Sequence, residues 1–364
     1  MKSRLRVLVV DDSALMRKLL AQILETDSEI EVVGTAINGE FALRKIEELR
    51  PHVVTLDLEM PGLNGIGVLR QIMRTHKTPV VVVSSHSTAG ASITLKALAL
   101  GAVDFVAKPA DVASRLPEVT NELVAKIKVA AQSRSVQVIT GRARIEKPAV
   151  YPRRPAASLF AIGISTGGPY ALEYLLSQLP ADFPGAIAVV QHMPEGFTGL
   201  FAHRLDEACA LQVKEAQPGD LLLAGRALIC PGNQHMRVRR LPLGDVVSLA
   251  DDDRVNGHRP SVDVLFRSVA KEFGRHGVGI LMTGMGDDGA EGMKAMKDAG
   301  GITLTQSEDS CVVYGMPKAA VDRGYSQRTV GLKELPQVLQ ALAEPKWGRS
   351  ASASASDGGS TLPK

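Results

Sequence analysis

The chain has 364 residues, of which 45% are hydrophobic, 22% charged and 4% aromatic; that is longer than one ordinary domain and too apolar for a disordered or fibrous polymer. Lys and Arg number 42 against 39 Asp and Glu, for a formal charge of +3, so no global field draws the protein to nucleic acid or a membrane, and an acidic partner has to be met locally. The three cysteines, Cys209, Cys230 and Cys311, lack CxxC spacing and suggest neither a disulfide framework nor a structural zinc site, which makes the reducing cytoplasm the expected location.

The first apolar run is broken by Asp11 and Asp12 too early for a signal peptide or a membrane span, and no direct membrane insertion is expected. From residue 5 to about 131, short β-rich runs alternate with amphipathic stretches, the α/β pattern of a doubly wound, five-stranded parallel sheet with helices on both faces. Strands are predicted over 7–10, 30–33, 53–56, 80–83 and 103–106, mostly uninterrupted apolar runs as befits burial on both faces. Ser13 is placed to cap a helix carrying Leu15, Leu19 and Ile23 as its core stripe, and Gly65 opens another with Ile66, Leu69 and Ile72.

Ligands of an open parallel sheet sit beyond the carboxyl ends of its strands, and the residues that follow these strands are Asp11, Asp12, Asp57, Ser84 and Lys108. Three converging carboxylates repel one another unless a hard divalent cation such as Mg²⁺ neutralises them, with Asp12 and Asp57 as direct ligands and the Glu59 main-chain carbonyl as a further oxygen. Lys108 can balance a phosphoryl group carried on one carboxylate, Ser84 can donate to its oxygen, and Asp57 looks like the nucleophile. Turn and capping roles account for any one pair of these residues, but poorly for all five at one edge. The region closely resembles the receiver domain of two-component response regulators, through Val-Asp-Asp-Ser at 10–13, Leu-Asp-Leu-Glu-Met-Pro-Gly-Leu-Asn-Gly at 56–65, Val-Ser-Ser at 83–85 and Ala-Lys-Pro at 107–109. The resemblance covers residues 4 to 122. It implies that Asp57 accepts phosphate from a histidine kinase, that Asp11, Asp12 and the Glu59 carbonyl surround Mg²⁺, and that Ser84 and Lys108 read the phosphoryl group. Phe105 occupies the family's switch aromatic position, where a buried strand Phe is an equally good structural reading.

Residues 133–157 lose the periodicity and hold Pro148, Pro152 and Pro155 among six basic residues and one acid, Glu146, the composition of a solvated tether. No aromatic interleaving or helix-turn-helix accompanies the basic run, so nucleic acid is not expected as a partner. A second α/β region follows to about 342, with strands over 160–164, 187–190, 228–230 and 278–282 in a mainly parallel sheet and helices near 169–179, 261–273 and 335–342. The Ser-Ala repeat after Trp347 reads as a disordered tail. The expected divisions are 1–131, a linker at 132–157, 158–345, and a tail at 346–364.

In the second region Gly163, Ser165 and Gly167 fit GxSxG on a strand-to-helix bend, followed by Pro169 at the helix start, where free N–H groups face a developing oxyanion. Gly-rich turns of this kind also bind phosphates. His192 ends the next predicted strand, at the edge where it can serve Ser165 as a base. His235 and His258 lie in polar loops and His52, His76 and His86 in the first region, and surface solvation is the expectation for most of them. The run over 278–288 leaves its strand through glycines into Asp287 and Asp288; one of the two would orient the imidazole, and spacing does not decide which. The chain order Ser, His, Asp differs from that of α/β-hydrolases, so GxSxG does not assign that fold.

These stretches strongly resemble the catalytic domain of chemotaxis protein-glutamate methylesterases. The likeness rests on Gly-Ile-Ser-Thr-Gly-Gly-Pro at 163–169, Val-Val-Gln-His-Met-Pro-Glu-Gly-Phe at 189–197, Cys-Pro-Gly at 230–232, Leu-Met-Thr-Gly-Met-Gly-Asp-Asp-Gly at 281–289 and Cys-Val-Val-Tyr-Gly-Met-Pro at 311–317. It implies Ser165 as nucleophile, His192 as general base, Asp288 as orienter, and the Met285 N–H with Thr166 near the oxyanion. The implied activity, free of any cofactor, is hydrolysis of glutamyl methyl esters on chemotaxis receptors with release of methanol, and deamidation of receptor glutamines. Cys230 departs from the small residue expected at its position. With a receiver in front, the unphosphorylated domain is expected to cover the mouth of the serine site. Other esters or amides as substrates form a second enzyme reading; DNA-binding and metallohydrolase readings lack a recognition helix and an HExxH or close His and Asp cluster.

Overall fold

The computed structural model of the protein describes residues 4–61, 64–85, 87–108, 116–132, 147, 151 and 154–344. Most of the expected linker and all of the expected tail lie outside the described residues.

The N-terminal unit alternates β1 (Leu5–Val10), α1 (Ala14–Glu25), β2 (Ile30–Ala36), α2 (Gly39–Leu49), β3 (Val53–Asp57), α3 (Gly65–Thr75), β4 (Val80–Ser84), α4 (Thr88–Ala99), β5 (Asp104–Ala107) and α5 (Leu116–Gln132). Its five strands pair in the order β2-β1-β3-β4-β5, all parallel. Strands buried on both faces cannot alternate polar and apolar residues, and β1, β3 and β4 are nearly continuous Val and Leu. The order reverses between β1 and β3, which puts the ligand crevice beyond their carboxyl ends. Ser13 caps α1 through Met16 N. The stripe that α1 buries is Leu20, Ile23 and Leu24, while Leu15 is 72% exposed. The expected stripe is therefore rotated: the helix docks through its second half, and its first turn stands at the sheet's carboxyl edge.

The C-terminal unit runs β6 (Leu159–Ile164), α6 (Gly168–Ser177), β7 (Ala186–Gln191), α7 (Thr198–Ala208), β8 (Gln212–Glu215), β9 (Arg226–Ile229), β10 (His235–Arg239), β11 (Val246–Ala250), α8 (Val262–Phe273), β12 (Gly277–Leu281), α9 (Ala290–Asp298), β13 (Ile302–Gln306), α10 (Met316–Asp322), β14 (Arg328–Val330) and α11 (Leu335–Ala343). Seven strands form a parallel sheet in the order β14-β13-β12-β6-β7-β9-β8, and β10 and β11 form a separate antiparallel hairpin. The apolar runs read from the sequence are the inner strands. Edge strands escaped because they carry no such run: β8 is Gln-Val-Lys-Glu, and β14 has three residues with two exposed. In β13, Thr303 and Thr305 are fully buried and bond Tyr325 O and Ser326 Oγ at 2.8 Å each, so a polar-looking strand lies inside the sheet. Among the described residues no helix is long and apolar enough to cross a membrane.

The two units share a continuous core. Phe105 of β5 stacks on Phe197, at the start of α7, with ring centroids 4.8 Å apart, and α4 packs against α6 and α7.

Candidate active site and phosphoacceptor pocket

At the β1/β3 edge, Asp11 and Asp57 are buried and Asp12 is exposed, and one oxygen of each lies within 4.8 Å of the others. Lys108 Nζ sits 2.7 Å from Asp57 Oδ2 and 3.0 Å from Asp11 Oδ2. Burial works against the lysine's charge, but pairing with Asp57 and then Asp11 outweighs it and holds Lys108 above its ordinary pKa. Burial foremost raises the Asp11 carboxyl, against the pull of Lys108. Asp11 Oδ2 has the Lys108 ammonium as its partner, and three hard carboxylates gathered within 4.8 Å suit a small divalent cation. Glu59 N bonds Asp57 Oδ1 at 3.0 Å, which turns the 57–59 loop around the aspartate. Ser84 lies at the same edge, but its hydroxyl donates to Gly90 O at 3.2 Å rather than toward Asp57.

The second site forms where the three central strands β12, β6 and β7 end. Register pairs Ile164 with Gln191, and His192 N donates to Ile164 O at 3.1 Å, so Ser165 and His192 leave neighbouring strands at the same level. The serine's backbone is held on three sides: its N–H bonds Thr283 O at 2.9 Å, and its carbonyl accepts from Gly168 N at 2.7 Å and from the buried Gln191 side chain at 3.0 Å. Two glycines are required here. Gly167 has φ +75°, and a side chain there would also strike Val312; a Cβ on Gly284 would sit 2.7 Å from that of Ser165.

His192 Nε2 lies 2.8 Å from Asp288 Oδ2, and its other nitrogen, Nδ1, is buried with no hydrogen-bond partner. No hydrogen bond yet joins Ser165 to that nitrogen, as is common before substrate binds. Asp288 is 1% exposed. Burial alone would raise its pKa, but His192, Ser261 Oγ at 2.7 Å and Val262 N at 2.7 Å hold it well below the usual carboxylate range. Asp263 N and Asn256 Nδ2 add weaker contacts to Oδ1. Val262 and Asp263 open α8, so the positive end of a helix faces the acid. Of the two acids, Asp288 is the one in contact with His192, whereas Asp287 lies on the surface, 2.6 Å from Arg323. Met285, which follows Gly284, is 38% exposed, and Thr166 is buried with its hydroxyl on Asp104 Oδ2 at 2.6 Å.

Several participants were not read from the sequence. Asp104 belongs to β5 of the other unit, so its contact is a product of how the units meet. Gln191 looked like the last residue of a strand. The expected solvation of His235 and His258 is corrected: His235 is fully buried, accepting from Ser261 N and bonding Asp253 O, and His258 stacks on His192. The segment from Asn256 to Asp263 folds inward, where Asn256, Ser261, Val262 and Asp263 donate to Asp288.

Residues 160–339 match the family described as CheB methylesterase, and residues 7–120 that described as the response regulator receiver domain. A protein of Koribacter versatilis named protein-glutamate methylesterase/protein-glutamine glutaminase 2 is 59% identical over 345 residues, which cover 92% of this chain and 95% of that one. One from Geobacter metallireducens, named protein-glutamate methylesterase/protein-glutamine glutaminase 1, is 45% identical over 356 residues, covering 95% and 98%. The crystal structure of the Thermotoga maritima CheB methylesterase catalytic domain aligns with a TM-score of 0.50 at 36% identity, over 51% of this chain and 99% of that one.

Proposed function

The chain belongs to the CheB methylesterase family, and from that premise we propose how its residues divide the work of a protein-glutamate methylesterase and protein-glutamine glutaminase governed by a receiver. Ser165 attacks the glutamyl ester carbonyl, and His192 takes its proton at Nδ1 while Nε2–H stays on Asp288. Collapse of the tetrahedral adduct breaks the C–O bond, and His192 returns the proton to the departing methoxide, giving methanol. Water, activated by the same imidazole, then hydrolyses the acyl-enzyme to a glutamate carboxylate. With a glutamine side chain the leaving group is ammonia and the steps are otherwise the same. In this reading the Met285 N–H and Thr166 serve the developing oxyanion. The observation that carries this reading is a histidine fixed through one nitrogen by a buried carboxylate, its other nitrogen left without a partner, at the strand edge where Ser165 emerges.

The divisions proposed are a receiver at 1–131, a linker at 132–157, a catalytic unit at 158–345 and a tail at 346–364. In the receiver, Asp57 attacks the phosphorus of a phosphohistidine on the chemotaxis kinase, and the N–P bond breaks. Asp11, Asp12 and the Glu59 carbonyl would hold Mg²⁺, which when bound offsets the negative charge gathering between phosphate and carboxylates. Lys108 then pairs with the phosphoryl oxygens, and Ser84 turns from Gly90 O to reach them. The esterase step needs no cofactor. The substrates are methyl-accepting receptors met from the cytoplasm, a location in keeping with three free cysteines.

Control by occlusion draws support from the contacts between units: the Thr166–Asp104 hydrogen bond is next to Ser165, and Phe105 and Phe197 stack close by. A charged hydrogen bond is worth roughly 1.5–3 kcal/mol, comparable to the 1–3 kcal/mol typical of coupling between sites. Asp104→Ala is therefore expected to raise basal methanol release about tenfold, and removing residues 1–150 at least as much. A basal rate that stays flat in both variants rules out occlusion. The function itself is tested by methanol release from methylated receptor membranes with and without a small phosphodonor. Wild type is expected to be stimulated and Asp57→Asn to stay at its basal rate under both conditions; stimulation that survives in Asp57→Asn would locate the phosphoacceptor elsewhere.

A further inference from the structure

We propose that His258 is a positioning residue for the reaction, holding the plane of the His192 ring through a face-to-face stack while its own turn secures the acid on the other side of that ring. The inference rests on the assignment of His192 and Asp288 made above. The two imidazoles lie 3.9 Å apart between centroids with only 8° between their planes. In that stack His192 cannot move toward His258, and rotation about its χ2 would break the overlap. Its Nε2 contact to Asp288 fixes the remaining freedom, so Nδ1 is aimed before any substrate arrives.

The stack is built into the fold rather than left to a loose loop. Val255 and His258 exchange both backbone hydrogen bonds, at 2.9 and 3.1 Å, around Asn256 at φ +53° and Gly257 at φ +77°. Two positive φ values at the centre of a doubly bonded four-residue turn are the signature of type I′, and Asn-Gly is the sequence that favours it. The same turn sends the Asn256 side chain to Asp263 Oδ2 at 2.9 Å and Asp288 Oδ1 at 3.2 Å. Directly after it, Arg259 is anchored by Asn233 Oδ1 and by the carbonyls of Asp251 and Asp252. Ser261 and Val262 then return the chain to Asp288. His258 is thus tied on both sides to the carboxylate that orients the ring it covers.

Its chemistry suits the task. Burial foremost, then the neighbouring His192, push His258 down to about 4, with Asp288, Arg254 and Glu122 of the receiver as the other charges facing it. At neutral pH it offers an uncharged aromatic face to an imidazole that becomes cationic when it accepts the serine proton, and such a face favours a cation. A solvated lysine or arginine there would oppose it.

The test measures kcat and KM for methanol release from methylated receptor membranes by the full chain with phosphodonor present, comparing His258→Ala, His258→Phe and His258→Leu. Without the stacked face the ring is no longer held in one plane, so His258→Ala is expected to lose about tenfold in kcat with KM nearly unmoved. His258→Phe, which keeps the face, is expected to recover most of that loss. His258→Leu keeps bulk without the face and should behave like alanine; it takes the place of the alanine variant if that chain does not fold. A kcat close to wild type in the alanine and leucine variants, a loss carried by KM, or a phenylalanine variant as slow as leucine overturns the proposal. Ser165→Ala and His192→Ala run alongside: turnover in those would sink the triad itself, whereas their silence beside a fully active His258→Ala sinks only the role given to His258.

Discussion

Ser165→Ala is expected to lower methanol release from methylated receptors by at least about ten-thousand-fold, to the level that binding and oxyanion donors alone support. The size of the effect follows from how little else at this edge can act as a nucleophile. Thr166 is buried with its hydroxyl given to Asp104, and Thr283 Oγ1 is bonded to Thr166 O. Cys230 and Cys311 are buried, and burial pushes both thiols far above their ordinary pKa, so neither supplies a thiolate. A serine-reactive fluorophosphonate should label the wild type and leave the alanine variant unlabelled. Because the alanine variant keeps every backbone hydrogen bond of the bend, its unfolding midpoint should match the wild type, which separates lost chemistry from lost structure. Residual turnover above about one part in a hundred would mean that water attacks directly under His192, with no acyl-enzyme.

Both candidate sites could be located in the sequence because ligand-binding edges of parallel sheets follow apolar runs, and apolar runs are what a sequence displays most openly. Asp11, Asp57, Ser165 and His192 each sit within two residues of a strand end read from such a run. Asp288 is farther out, seven residues past Leu281, and there spacing could not separate it from Asp287. The choice depends on which acid meets the N-terminus of α8, a contact across 25 positions of chain that no local pattern encodes. The same holds for His258, whose stacking partner lies in another segment, and for Asp104, whose partner lies in the other unit. Edge strands such as β8 and β14 were missed for the opposite reason: a strand with one exposed side has no need of an apolar run.

Asp288→Asn is expected to cost about ten-thousand-fold in kcat, with Asp287→Asn within a factor of about two of wild type, since that exposed ion pair with Arg323 contributes little. The carboxylate accepts at both oxygens: Ser261, Asn256 and Asp263 N converge on Oδ1, and Val262 N and His192 on Oδ2. An asparagine must set its NH₂ against donors in either orientation. If it faces His192, it donates to Nε2 and forces the ring proton to Nδ1, where the serine needs an acceptor; if it turns away, it meets the N–H groups around Oδ1. Stability should fall as well, and with a particular dependence on pH. Asp288 has a folded-state pKa depressed below its unfolded value, so its contribution is fully present above the ordinary carboxylate range and is lost only as pH falls through the depressed value. The wild type should thus lose this part of its stability in strong acid, and Asp288→Asn should lack it at neutral pH and show a flatter fall. Equal turnover of Asp288→Asn and wild type, or a larger loss from Asp287→Asn, would move the orienting role to the other acid.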